Sequence, residues 1–392
     1  MFSVTNILCR RDSGNEHLRY RSEETALTAP RPVVVWAVTR ACNLRCVHCY
    51  ASANADPDPN ELTHEEGKAL LNDLHAYGVP AVLVSGGEPL ARPDTLELMA
   101  YARSLGLNLT LSTNGLLITE PVARKLADID VRYVGISLDG LRDTHDKLRG
   151  MKGAFDKTLE GVKQCQQAGL KVGLRFTIHA LNLDQLDAII DLCIERNIDR
   201  LCVYHLAYAG RGGKMQKVDL TSDQTRYAVD RIFTRAQQAE AAGQRIEILT
   251  VSNHTDNAYA LLHLEQKDPA WAQAAHTRLA RNGGNASGSH IASIDPMGNV
   301  HYDQFSWHYP CGNVRDATFS EIWGQPTDPR LKVMRDRQSQ LPMRCQGCRF
   351  LDVCNGNLRT RAEAATGDWL GMDPSCYLTE AEVTAQPQVA HV

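Results

Sequence analysis

The chain has 392 residues, 43% hydrophobic and 22% charged, a balance that excludes a disordered or fibrous protein and fits one large barrel plus a smaller module. Its 42 Lys and Arg against 46 Asp and Glu leave a net charge of −4, which argues against nucleic acid as a partner, so any anionic ligand needs a local basic site. The longest apolar run, Val33 to Val38, is far too short to cross a bilayer, and no basic start followed by an apolar stretch opens the chain; a cytoplasmic location away from membranes is expected.

Residues 1–30 are polar and without sustained period, an irregular lead-in with one short hairpin near Val4 to Arg10. From Pro32 onward short β-rich runs alternate with helical patterns, the sign of βα units and a parallel sheet. Six strands are expected, at Val33 to Val38, Ala81 to Ser85, Asn108 to Ser112, Tyr133 to Leu138, Lys171 to Ile178 and Arg200 to Leu206. Helices are expected between them near Thr63 to Tyr77, Asp94 to Leu105, Glu120 to Ala127, Ala154 to Ala168 and Asp184 to Arg196, three of them closed by Gly78, Gly106 and Gly169. Six βα units are too few for a closed eight-stranded barrel, yet ligands in such α/β folds still gather at the carboxyl ends of the strands. A Gly-rich basic loop, Gly210 to Lys214, then leads to a helix at Ser222 to Ala241, a short strand at Ile246 to Thr250 and an Ala-rich helix ending near Arg281. The small-residue stretch Asn282 to Ser289 reads as a linker, with a second module starting near Ile291. The expected units are therefore a lead-in (1–30), a barrel (31–215), bridging helices and linker (216–290), and a C-terminal module with its tail (291–392).

Twelve cysteines are too many for background and too few for a disulfide scaffold of this length, so their spacing has to decide. Cys42, Cys46 and Cys49 stand in a C-x3-C-x2-C arrangement on the loop leaving the first strand. Three thiolates on a four-iron cube leave one iron open; a zinc knot completed by His48 is the alternative. At the next strand end comes Ser85-Gly86-Gly87-Glu88-Pro89, where two glycines admit close backbone approach and Glu88 offers an anion for an ammonium group.

The cysteine triad followed by this turn resembles the radical S-adenosylmethionine (SAM) superfamily. That resemblance implies a partial (βα)6 barrel over residues 32 to about 206, a [4Fe–4S] cluster on Cys42, Cys46 and Cys49, and SAM on the open iron. Gly86, Gly87 and Glu88 would contact the SAM amino group; Ser112, Asn114, Ser137 and Asp139 would line its pocket, although Asn-Gly and Asp-Gly at strand ends are also ordinary turns. Arg149 is a candidate partner for the SAM carboxylate, with a solvated surface role as the alternative. By the same resemblance, an electron donor such as a flavodoxin or ferredoxin supplies the cluster, and SAM is cleaved to methionine and a 5′-deoxyadenosyl radical that takes a hydrogen atom from the substrate.

A second set, Cys345-x2-Cys348-x5-Cys354 followed by Cys376, resembles the SPASM extension of radical SAM enzymes, with a zinc ribbon as the alternative. Full extensions carry seven cysteines, but here His301-Tyr302-Asp303 and Leu358 occupy positions where others have cysteine. One auxiliary [4Fe–4S] cluster at Cys345, Cys348, Cys354 and Cys376 is therefore expected, two clusters in all. Cys311 is left as a remnant, a redox thiol or a ligand toward the substrate. Cys165, Cys193 and Cys202 read as packed core and Cys9 is unassigned.

For the substrate, Tyr204 to Lys214 places aromatic surface, a histidine and two cations at the mouth of the sixth strand. That suits a flat polycarboxylate anchored by Arg211 and Lys214. With Trp307 to Arg315, this stretch resembles the tetrapyrrole-modifying branch, most of all its haem d1 biosynthesis members. The resemblance implies removal of propionate side chains from 12,18-didecarboxysirohaem on the way to oxo groups, with His205, His301 and His308 as candidate iron ligands or proton donors. Oxidative decarboxylation of porphyrin propionates in haem synthesis, peptide maturation, and a non-catalytic zinc-stabilised binding protein are the alternatives.

Overall fold

The computed structural model describes residues 1–11 and 31–384. Its eleven strands are β1 (Phe2–Ser3), β2 (Val33–Ala37), β3 (Val82–Ser85), β4 (Leu109–Thr113), β5 (Tyr133–Ser137), β6 (Val172–Ile178), β7 (Arg200–His205), β8 (Glu247–Val251), β9 (Ile291–Ile294), β10 (Asn299–His301) and β11 (Gly312–Asn313). They form one sheet in the order β1-β8-β7-β6-β5-β4-β3-β2-β9-β10-β11. The eight from β8 through β9 run parallel, and β1, β10 and β11 pair antiparallel at the edges. All six expected strands are present, and the parallel run is extended by β8 on one flank and β9 on the other.

Because strand side chains alternate between faces, each run carries two messages. Val34, Trp36, Val82, Val84, Leu109, Leu111, Val134, Ile136, Leu174, Phe176, Leu201 and Val203 are buried in the main apolar core. The other face presents Val35, Leu83, Ser112, Ser137, Arg175, Thr177 and Tyr204 to a cavity. The apolar half is buried against helices such as His64–Tyr77, which starts at a capping box between Thr63 and Glu66 and stops at Gly78 in the left-handed conformation. A further helix, Arg142–Arg149, was not expected. Its sequence RDTHDKLR has one apolar residue in eight, too little to announce a period.

Two expectations are corrected. Within the lead-in, Val4–Leu8 is a buried helix capped by Ser3, and β1 joins the sheet beside β8; five residues are too few to show a helical period. Residues 12–30 lie outside the described residues. The stretch taken for a linker is packed in: Asn285 and Ser287 are buried, and Arg337 donates to the Asn285 carbonyl (2.6 Å) and side chain (2.9 Å) and to the Ser287 carbonyl (3.3 Å). Small polar residues carry no apolar pattern, so hydrogen-bonded burial reads as a loop. With β9 pairing β2 in parallel register from Val33↔Ile291 to Trp36↔Ile294, the sheet continues across the expected module boundary. Among the described residues no helix is long and apolar enough to cross a membrane.

The C-terminal segment is fastened to the barrel mouth by Arg361, which is held in a buried ion pair with Asp373 of the same segment. Arg361 meets Asp373 through Nε (2.7 Å) and Nη2 (2.9 Å) and donates to the carbonyls of Leu206 (3.0 Å) and Ser252 (3.0 Å), just beyond β7 and β8. Both side chains are almost fully buried. Asp373→Asn would leave the guanidinium without its counter-charge, and a loss of about 3–5 kcal/mol is expected in denaturant unfolding of the metal-free chain. A midpoint unchanged from the wild type would contradict it.

Candidate active site

The loop after β2 carries Cys42, Cys46 and Cys49 to the edge of a cavity of about 180 Å³ at the carboxyl ends of the strands. Its backbone is held at several points. Cys42 N–H donates to the Asn54 carbonyl (2.7 Å), Val47 N–H to Leu148 (3.0 Å), and Arg211 N–H to the Cys49 carbonyl (2.9 Å). The Gly-Gly turn after β3 docks on the same loop, with Gly87 N–H on the Thr39 carbonyl (2.7 Å) and Glu88 N–H on that of Ala41 (2.8 Å). A Cβ on Gly87 would collide with the carbonyl oxygens of Arg40 and Ala41. Glycine is required there so that two backbones can touch.

Of the residues singled out in the sequence, Gly86, Gly87, Ser112, Asn114, Ser137, Arg149, His205 and Arg211 line this cavity with the three cysteines. Two expectations change. Glu88 is fully buried and turned away: its carboxylate accepts from Thr113 Oγ1 (2.8 Å), Asn114 N–H (2.8 Å) and Leu90 N–H (3.1 Å). Burial raises its pKa, and these donors partly offset that. It ties β3 to β4 and presents no anion to a ligand; the glycines do the lining. Asp139 is likewise closed in. It pairs with Arg149 and with His48 Nε2 (3.0 Å) and accepts Thr177 N–H (3.0 Å). Burial works against its charge, yet the Arg149 guanidinium and the hydrogen-bonding contact with His48 hold it well below the usual carboxylate range.

Arg149 also reaches Cys46 Sγ, at 3.5 Å from Nη1, so Asp139 and Arg149 together orient the cysteine loop. Arg211 has a comparable duty: Nε donates to the Cys46 carbonyl (2.8 Å) and Nη1 to that of Ala53 (2.8 Å). Its charge braces the loop, where the sequence suggested a substrate anchor. Lys214 is exposed and lines none of the described pockets, so the basic loop does not act as a unit.

The histidines separate. His205 lines the cavity with Nε2 on Asp256 (2.9 Å), and Asp256 also accepts the Tyr377 hydroxyl (2.8 Å). His301 is fully buried between the Tyr309 carbonyl (3.0 Å) and Asp295 (3.2 Å), away from the cavity; it is a packing histidine of the β9–β11 region and no candidate ligand. His308, half exposed and bonded to Glu363 (2.8 Å), lines an outer chamber of about 540 Å³ with Arg40, Tyr208 and Trp307. Tyr50 and Phe305 border both spaces. Their rings meet edge to face at 5.4 Å, and Tyr50 meets Trp307 at 6.1 Å.

Cys345, Cys348, Cys354 and Cys376 surround a separate small cavity with Met372 and Arg344, whose Nη1 is 3.3 Å from Cys376 Sγ. Arg359 has buried Nε and Nη2 groups with no partner, and its charge acts on Cys345 and Cys354. Cys311 does not line that cavity. Cys165, Cys193 and Cys202 are buried as expected. Among the described residues, no three His, Cys, Asp or Glu side chains converge tightly enough for a single metal ion.

A family model described as the radical SAM superfamily matches residues 36–193. The chain is 46% identical to the Fe-coproporphyrin III synthase of Methanosarcina barkeri, over 98% of this chain and 99% of that one. It is 45% identical to the pre-heme d1 synthase of Dinoroseobacter shibae, over 90% and 88%. The chain belongs to the radical SAM superfamily. It is an enzyme of the class that uses SAM with a [4Fe–4S] cluster. Its fold matches SuiB of Streptococcus suis bound to S-adenosylmethionine at a TM-score of 0.71 and 18% identity, covering 91% of this chain and 79% of that one.

The first cysteine set suits that cofactor. A cube takes its thiolates on separate irons, farther apart than the ligands of one ion, and these thiols stand around the cavity with donors already aimed at sulfur: Leu44 N–H at Cys42 (3.4 Å) and Arg149 at Cys46. Burial raises the protonation of both thiols, Cys42 to about 12, so deprotonation has to be coupled to metal binding. The residue that sequence reasoning missed is Arg175. The signal was available: in Val172 to Ile178 the inward set is Gly173, Arg175 and Thr177, and a cation on the inner face of a central strand is out of place in a structural core.

Asp139→Asn should leave Arg149 and His48 facing each other without their shared anion. The expected result is poor iron retention by the first cysteine set with the second set unaffected, measured as iron and sulfide per chain after anaerobic reconstitution. Full iron loading in this variant would remove Asp139 from the cluster loop's support.

Proposed function

We propose that this enzyme acts in haem biosynthesis on the carboxylate side chains of an iron porphyrinoid, with a [4Fe–4S] cluster on Cys42, Cys46 and Cys49 and SAM among Gly86, Gly87, Ser112, Asn114, Ser137 and Arg149. The observation that carries the substrate class is the pairing of the cysteine-lined cavity with an aromatic outer chamber across Tyr50 and Phe305. A flat conjugated macrocycle finds face and edge contacts on Tyr50, Phe305 and Trp307, with the Arg40 guanidinium 6.0 Å from the Trp307 ring centre. Both tetrapyrrole-named relatives support this reading.

The bound cluster and SAM supply reductive SAM cleavage and hydrogen-atom abstraction. The protein's own residues do the rest. The aromatic wall positions a macrocycle edge at the cavity entrance and excludes water, and His205, oriented by Asp256, is placed to hold or deliver a proton inside the cavity. The SPASM-type set Cys345, Cys348, Cys354 and Cys376 holds an auxiliary [4Fe–4S] cluster in this proposal; the unpaired N–H groups of Arg359 and the Arg344 contact to Cys376 are counter-charges suited to it.

Within this class the finer reading is haem d1 biosynthesis, loss of propionate side chains from 12,18-didecarboxysirohaem on the way to oxo groups. Formation of Fe-coproporphyrin III is the second reading, favoured by the identity that spans both chains nearly end to end. Product mass decides between them. The reconstituted enzyme, reductant, SAM and 12,18-didecarboxysirohaem are expected to yield deoxyadenosine together with a porphyrinoid of lower mass. A product comigrating with Fe-coproporphyrin III selects the second reading, and an unchanged porphyrinoid overturns both.

The ligand assignment has its own test. Cys42→Ala, Cys46→Ala or Cys49→Ala should abolish deoxyadenosine formation and lower iron by about half, to on the order of four atoms per chain. Cys376→Ala should also lose iron, whereas Cys311→Ala should not. Zinc in place of iron and sulfide would defeat the assignment.

A further inference from the structure

Three arginines and no Asp or Glu line the barrel cavity. Two of the three are committed: Arg149 is neutralised by Asp139, and Arg211 gives two N–H groups to backbone carbonyls of the cysteine loop. Arg175 differs. It projects inward from the middle of β6, and its guanidinium crosses β5 to reach β4, where Nη1 donates to Ser112 Oγ. Ser112 is in register with Gly135 on β5. A Cβ on Gly135 would collide with Nε, Cζ and Nη2 of Arg175. Glycine inside a central strand weakens it and marks a place where another group must come close; here that group is the guanidinium.

The charges around Arg175 are those of Tyr204, Tyr133, Cys202 and Tyr50, with no carboxylate among them. Its Nε lacks a hydrogen-bond partner, as do Arg149 Nε and Arg211 Nη2. Arg149, however, has Asp139 and Arg211 has two backbone carbonyls, whereas Arg175 has the Ser112 hydroxyl alone. Among the described residues no carboxylate pairs with it. A guanidinium enclosed by a barrel, open only to an acid-free cavity, is costly unless an anion arrives to meet it. Arg's fork is suited to a carboxylate taken side-on.

We propose that Arg175, held by its bond to Ser112, receives a side-chain carboxylate of the substrate through its remaining N–H groups at the floor of the barrel cavity. This rests on the tetrapyrrole reading above. SAM also carries a carboxylate, and the position of Arg175 favours the substrate. Arg149 stands beside Cys46 at the loop end, next to the cluster that SAM joins, whereas Arg175 starts from the middle of β6 and, among the described residues, makes no hydrogen bond to the cysteine loop. Tyr50, whose ring walls the outer chamber, bonds Ser85 inside the cavity at 3.3 Å. A propionate hanging from a macrocycle in the outer chamber therefore enters past Tyr50 with Arg175 ahead of it.

The test compares wild type, Arg175→Met, Arg175→Lys and Gly135→Ala. Anaerobic absorbance titration with 12,18-didecarboxysirohaem and with its methyl ester gives porphyrinoid affinity, equilibrium dialysis gives SAM affinity, and iron content reports integrity. Arg175→Met should weaken the acid form about ten- to a hundredfold, Arg175→Lys less, and SAM binding should stay within about twofold. Gly135→Ala, which keeps the charge but displaces the guanidinium, should weaken the acid form as well. The ester should bind wild type and Arg175→Met alike. If Arg175→Met fails to load iron, Arg175→Lys and Gly135→Ala carry the same comparison. Equal affinities of wild type and these variants for the acid overturn the anchor and leave the substrate class standing. Loss confined to SAM gives the carboxylate to SAM and also overturns it. Failure of wild type to bind the porphyrinoid overturns the anchor and the tetrapyrrole reading together.

Discussion

The Asp139 carboxylate is the charge on which the site depends. It is fully buried, an arrangement that costs several kcal/mol per ion unless partners replace water. Its partners come from three directions: Arg149 from the helix after β5, His48 from the cysteine loop, and the Thr177 N–H from β6. The loop bearing Cys42, Cys46 and Cys49 buries Leu44, Ala51 and Ala53 and packs Tyr50 on Phe305, and polar contacts add to these anchors. Its position at the barrel mouth also follows from the Asp139–Arg149 pair, from Arg211 on the Cys46 and Ala53 carbonyls, and from backbone contact with the Gly86-Gly87 turn. Groups that look like ligand contacts in the sequence are thus partly the frame holding the real contacts still, as a reactive site requires.

That frame is affordable because the sheet separates its duties. One face of the parallel strands is aliphatic and buries itself against helices; the inner face carries Ser112, Ser137, Arg175, Thr177 and Tyr204. A packed eight-stranded barrel fills this space with branched apolar side chains. Here glycines at 135 and 173, opposite each other in register, make room for the Arg175 guanidinium and the Tyr133 ring. The cost in strand stability is offset by the long continuous register from β8 to β9.

The C-terminal segment completes the enclosure. Arg361 and Asp373 fasten it to the ends of β7 and β8, Tyr377 reaches Asp256 behind His205, and Phe305 and Trp307 stand over Tyr50. The barrel mouth therefore opens into a chamber built jointly by both parts of the chain. A large planar substrate can be held outside while one of its side chains reaches the cluster cavity, an arrangement consistent with relatives named for tetrapyrrole products.

The sequence by itself determined the strands from β2 to β8 and their order of appearance, because period-two runs, capping residues such as Thr63 and stop residues such as Gly78 act within a few positions. The short β9 to β11 were not read from it. Its spacing and the resemblance it carries also singled out both cysteine sets, each of which the structure brings to its own cavity. It did not reveal β1, the buried helix Val4–Leu8 or the packing of Asn285 and Ser287, because elements that short acquire their stability from distant partners such as β8 and Arg337. Nor did it settle which charges are free. Glu88, Asp139 and Arg211 look available in one dimension, and tertiary structure gives each a partner far along the chain; His301 is closed in by Asp295 and Tyr309 of its own strand region. Arg175, an inward cation on a central strand, emerges with the Ser112 hydroxyl as its partner and no carboxylate. Whether a charge binds a ligand or braces a loop depends on what folds up against it, and that is a property of the assembled barrel, beyond the reach of local residue types and spacing.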